Sequence, residues 1–227
     1  MFIKQFLLVG FCLLCASCAS QGYNAKYAAE AANYKTPDQL YQRGNQYAKG
    51  IGVPRDDEHA VYYYQLAADQ GNGKAEYALG YMYRSGRGVP QNYSLAAKWY
   101  ERAASNGNSD ASQSLGVRYL LGQGVEQNYQ KAFAWFEKAA QENNAFAQNE
   151  LGFMYASGKG VKQDYTQAFR WYQKAATHGL SSAEYNLGVM YASGLGTTAN
   201  NETAKQWFQK AAAHGFVPAQ EALKKQG

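Results

Sequence analysis

The sequence predicts an all-α solenoid, and three observations carry that prediction. Gly44, Gly80, Gly116, Gly152 and Gly188 stand 36 residues apart along the 227-residue chain. Each unit holds two apolar stripes at helical spacing, and a Gly-x-Gly pair separates the stripes. One helical hairpin cannot bury its own apolar face, so five copies in register stack into an elongated body.

The unit is clearest between 75 and 108. Ala75, Ala78, Leu79, Met82 and Tyr83 fall at i, i+3, i+4, i+7 and i+8, one face of a first helix, called A. Gly86-Arg87-Gly88-Val89-Pro90 then breaks the pattern. Ala96, Trp99, Tyr100, Ala103 and Ala104 repeat the spacing and give a second helix, B. Asp56, Asn92, Asn128, Asp164 and Asn200 precede the B helices, where a side-chain oxygen accepts from free backbone N–H groups. Gly71, Gly107, Asn143, Gly179 and Gly215 end them, the one exception being the other residue that tolerates a left-handed cap.

The 36-residue glycine ladder lies inside helix A, where Gly costs about 1 kcal/mol relative to Ala. A close neighbour is the expected compensation. Ala60, Ala96, Ala132, Ala168 and Ala204, and Ala pairs from 67/68 to 211/212, let helix B approach. Tyr47, Tyr83, Tyr119, Tyr155 and Tyr191 from helix A, with Tyr63, Trp99, Trp135, Trp171 and Trp207 from helix B, are expected to fill the space between backbones.

Taken together, Ala-x-x-x-Leu-Gly-x-x-Tyr, Gly-x-Gly-Val and Ala-x-x-Trp-Tyr-x-x-Ala-Ala-x-x-Gly resemble the Sel-one-like repeat, a relative of the tetratricopeptide repeat. The resemblance covers about Thr36 to Phe216. It implies a right-handed α-solenoid of five 36-residue hairpins. The solenoid domain spans 36–227, with Ala219 to Leu223 opening a C-terminal half-repeat. Gln39 and Arg43 replace the Ala and Leu of later units, as a polar terminal face would require. Thr197 replaces the loop Val, so the fifth loop is expected to differ.

Before the repeats, Lys4 precedes the nine-residue apolar run Phe6 to Leu14 and a cluster of small residues. This reads as a signal peptide over 1–17, too short to remain as a membrane span. Leu14-Cys15-Ala16-Ser17-Cys18 resembles a bacterial lipobox, departing from it at Cys15. That resemblance implies lipidation at Cys18, with Ala19 directing the lipoprotein to the outer membrane, facing the periplasm. Residues 18–35 are then a lipidated tether or short extra helix. The alternative is cleavage after Ala19 or Ser20 and a soluble periplasmic or secreted protein.

Chemistry is thinly represented. The net charge is +5 without a basic run, which argues against nucleic acid. All three cysteines precede the repeats, so no disulfide framework is expected in them. His178 and His214 fall near B-helix ends, His59 stands alone beside acids, and the Gly-x-Gly pairs lack a phosphate-loop continuation. Neither cofactor, metal nor catalytic residue is expected. The cysteine-rich relatives associated with penicillin binding or hydrolysis carry disulfides that this chain lacks.

On helix A, the side opposite the Ala-Leu-Tyr stripe varies between repeats: Tyr41 and Asn45; Tyr77, Tyr81 and Arg84; Gln113 and Val117; Asn149 and Phe153; Tyr185 and Val189. By resemblance to tetratricopeptide solenoids this strip lines a groove, and Tyr suits recognition of a protein segment. The other reading is packing between adjacent A helices. The function expected is a non-enzymatic protein-interaction scaffold or adaptor with no small-molecule substrate. Two alternatives stand beside it: an immunity protein that neutralises an effector toxin acting in the periplasm, and a peptidoglycan or β-lactam hydrolase.

Overall fold

Breakers and caps recur at fixed offsets, and the chain folds into hairpins at those offsets. The computed structural model describes residues 27–226. Odd-numbered helices are the A helices: α1 (Pro37–Lys49), α3 (Gly73–Ser85), α5 (Ser109–Leu121), α7 (Ala145–Ser157) and α9 (Ser181–Ser193). Their B partners are α2 (Asp57–Asp69), α4 (Tyr93–Ser105), α6 (Tyr129–Gln141), α8 (Tyr165–Thr177) and α10 (Asn201–Ala213). A final helix, α11 (Val217–Gln226), packs on α10. Among the described residues there is no strand, and each helix packs chiefly on its neighbours in sequence, as a solenoid requires.

All five expected B-helix caps accept from backbone amides in the first turn. Each capping residue also gives its own N–H to the Tyr carbonyl ending helix A: Asp56 to Tyr47 at 3.0 Å, Asn92 to Tyr83 at 2.8 Å, and Asn200 to Tyr191 at 2.8 Å. That bond closes the hairpin. The fifth loop closes as the second does, with a Gly194 φ of 68° against 69° at Gly86. Thr197 therefore leaves the loop unchanged, contrary to expectation, because glycines and cap set its path. At the end of α6, Asn143 takes a φ of 60° where other repeats use Gly.

The ladder glycines meet aromatic rings of their own hairpin. A Cβ on Gly44, Gly80, Gly116, Gly152 or Gly188 would stand 2.5–2.7 Å from ring carbons of Tyr64, Tyr100, Phe136, Tyr172 or Phe208. These rings and Tyr63 are the large buried groups of the B helices. The tryptophans expected there are only half-buried, one position round the helix. Each carries a cation three residues on over its face, as Arg102 lies 4.5 Å from the Trp99 centroid and Lys174 4.0 Å from Trp171.

Successive hairpins meet through the second glycine of each Gly-x-Gly pair. A Cβ on Gly124 would stand 2.2 Å from the Tyr93 carbonyl carbon, and Gly88, Gly160 and Gly196 abut the start of the preceding B helix likewise. Gly52, with no hairpin before it, has nothing within 4 Å. Arg87 adds a charged link, pairing with Asp57 at 2.5 Å and reaching the Ala48 carbonyl at 3.2 Å.

Residues 27–31 are helical and cover the first hairpin. Glu30 accepts from the Tyr47 hydroxyl at 2.9 Å and pairs with Arg43, so this polar position is engaged rather than facing open water. Burial works to raise the Glu30 pKa, but the Tyr47 and Arg43 hydrogen bonds prevail and lower it. At the other end α11 buries Ala219.

Candidate protein-binding face

Helical spacing places 41 and 45, and their counterparts at 36-residue steps, on one side of the A helices. The structure divides the candidate residues into two rows.

The first row, Tyr41, Tyr77, Gln113, Asn149 and Tyr185, is half-buried and takes part in packing. Tyr41 lies 5.8 Å from the Tyr64 ring, Tyr77 5.7 Å from Tyr100, and Tyr185 5.5 Å from Phe208. Asn149 accepts from Asn186 of the next A helix at 3.1 Å. Burial raises the Tyr77 pKa, with the nearby Asp110 charge adding to it. In this row the three tyrosine rings pack on a ring of their own hairpin's B helix, and Asn149 links adjacent A helices.

The second row is Asn45, Tyr81, Val117, Phe153 and Val189. Asn45 is held by the Tyr64 hydroxyl at 2.9 Å, and Val117 is half-buried. Tyr81, Phe153 and Val189 remain 37%, 39% and 37% exposed. Two residues outside the candidate set lie on the same side: Phe146, 62% exposed, and Leu121, 54% exposed. Their counterparts are polar in the sister repeats, namely Asp38, Lys74, Asp110 and Ser182 for Phe146, and Lys49, Ser85, Ser157 and Ser193 for Leu121. A large apolar residue at a position otherwise polar was the available signal.

Between the C-terminal turns of α3 and α5 lie two arginines. Arg84 is half-buried, with its guanidinium 5.0 Å from the Tyr81 centroid. Arg118 is only 6% exposed and occupies the position that Met82, Met154 and Met190 fill in other repeats. Among the described residues its Nε has no hydrogen-bond partner, and neither arginine has an ion-pair partner. Burial lowers the Arg118 pKa, and the Arg84 charge works in the same direction. Beside them, burial pushes the Tyr100 phenol up to about 12 against the pull of Arg84. Farther along, Glu150 is also raised by burial.

No cluster of His, Cys, Asp or Glu able to hold a metal exists among the described residues. His59 contacts Asp56 at 2.6 Å, and His214 the buried Glu184 at 2.9 Å. The His59 ring also stacks on Tyr47, centroids 4.5 Å apart, and the His214 contact ties the end of α10 to α9. Among the described residues no helix is long and apolar enough to cross a membrane. Cys18 lies outside the described residues.

Five copies of the Sel1 repeat match this chain, at 40–72, 73–108, 109–144, 145–180 and 181–216. A solved Sel1 repeat protein from Oxalobacter formigenes is 31% identical, with a TM-score of 0.80 over 89% of this chain and 84% of that one. The protective antigen c5321 of uropathogenic Escherichia coli strains is 36% identical, with a TM-score of 0.81 over 88% of this chain. The match spans 42% of the antigen's length. An immunity protein from Pseudomonas aeruginosa shares the fold at 23% identity and a TM-score of 0.54, covering 86% of this chain and 74% of that one. No curated protein matches the chain.

Proposed function

This chain belongs to the Sel1 repeat family, whose repeats mediate contacts between proteins, and we propose that its A-helix face receives a segment of another protein. The observation that carries this reading is the exposed row of Tyr81, Phe153 and Val189, extended by Leu121 and Phe146. Large apolar groups held on rigid helices lose little side-chain entropy on binding and exclude water over a wide area. Polar groups between them supply register.

In this reading the protein is a scaffold or adaptor rather than an enzyme. With Cys18 lipidated it is held at the outer membrane with the solenoid in the periplasm. The lipobox-like Leu14 to Cys18 supports that location.

The test replaces Tyr81 and Phe153 by Ala and measures capture of the cellular partner, with circular dichroism to confirm the fold. Loss of two central aromatic anchors is expected to weaken capture by about tenfold or more. Undiminished capture by a folded variant removes the proposal. For the anchor, Cys18→Ser should abolish lipid labelling and membrane association; retention of both would contradict it.

A further inference from the structure

The two arginines between α3 and α5 are unusual because their positions need no charge. Ala48, Leu120, Ala156 and Ala192 stand where Arg84 is in other repeats, and three methionines stand where Arg118 is. A buried guanidinium is strongly disfavoured unless an anion or hydrogen bonds compensate it. Here the Arg118 Nε is orphaned, and the second guanidinium nearby repels rather than compensates it. The aromatic groups around them, Tyr81, Tyr93 and Tyr100, offer ring faces and hydroxyls but no negative charge: Arg118 lies 5.7 Å from the Tyr93 centroid and Arg84 5.0 Å from that of Tyr81.

We propose that this gap is a carboxylate site, in which Arg84 and Arg118 together seat a glutamate side chain of the bound protein segment. The proposal rests on the protein-binding reading above and supplies its charged anchor. Two neighbouring guanidiniums can each take one oxygen of a carboxylate, and such charge-assisted bonds are about twice as strong as neutral ones. Depth selects the source. Arg118 is sunk between helices, so its ligand must arrive on a narrow stalk. The two methylenes of Glu provide one, whereas a chain-terminal carboxylate brings backbone with it.

The experiment follows the arginine Nε–H signals of the full-length, 15N-arginine-labelled chain in detergent micelles. N-acetyl-glutamate N-methylamide is titrated, with the glutamine analogue and N-acetylglycine as controls. Saturable shifts of the Arg84 and Arg118 signals are expected with the glutamate probe, and at least about tenfold weaker response with either control. Arg118→Met and Arg84→Ala each install a sister-repeat residue and should preserve the fold while weakening binding about tenfold or more. Absence of a saturable shift, an equal response to the glutamine analogue, or full binding by either folded variant would overturn the site. A stronger response to N-acetylglycine would overturn the side-chain assignment. Because no protein partner is used, failure here leaves the capture experiment on Tyr81 and Phe153 to decide the broader reading independently.

Discussion

The Tyr100 ring occupies the space that a Cβ of Gly80 would need, its Cε1 lying 2.5 Å from that position. The same relation recurs in all five hairpins, so the ladder glycine sets how closely the two helices approach.

Gly80→Ala therefore reverses the usual sign of a helical Gly→Ala change. Ala ordinarily stabilises a helix interior by about 1 kcal/mol. Here Tyr100 is 1% exposed, so its ring moves only if its neighbours shift. Overpacking is expected to outweigh the propensity gain and leave a net loss on the order of 1–3 kcal/mol. Urea denaturation checks this, and an unchanged or higher midpoint would refute it.

Contacts between hairpins are tested by comparing Gly124→Ala with Gly52→Ala. Both positions have positive φ, 77° and 72°, so both variants carry a left-handed penalty of roughly 1–2 kcal/mol. Only Gly124 abuts backbone of the preceding hairpin. Its variant should lose more stability and broaden the transition as neighbouring repeats uncouple. Equal losses would mean that the second loop glycine serves its own turn alone.

The Asp57–Arg87 link predicts a pH dependence. Arg87 hydrogen bonds, aided by Arg55 and opposed by burial, hold the Asp57 carboxyl at about 2. Its unfolded value is about 3.9, so on acidification the unfolded chain takes up this proton first. The stabilisation is complete above the unfolded value and drains as pH falls through the folded one. The difference in denaturation midpoint between the parent chain and Arg87→Gln should thus shrink as the pH drops from 5 to 2. A constant difference would show that the pair contributes no linked stability.

Caps and turns were legible because each follows from the chemistry of one or two residues. Asn92 accepts at a helix start and Asn143 tolerates a left-handed end wherever they occur. The buried member of the pair Trp99-Tyr100 was not legible. Both are large and adjacent, and the choice depends on Gly80 across the hairpin, which leaves room only for the second ring. The packing row and the open row of the A-helix face were indistinguishable for a similar reason. Tyr77 and Tyr81 look alike in sequence, but Tyr77 contacts the Tyr100 ring and Tyr81 projects beyond it. Arg118 lies on the buried side of its helix, where repeat-to-repeat variation does not by itself point to a binding face. Its signal was a charge at a position where three repeats carry Met.

The central claim, that partners dock on the A-helix side, is tested most directly by site-specific photo-crosslinking in living cells. A benzophenone amino acid is placed at Tyr81, at Phe153, or at Lys98 on the exposed side of α4. The account predicts one common protein adduct from Tyr81 and Phe153 and none from Lys98. Adducts from Lys98 with none from the A-helix positions would contradict it.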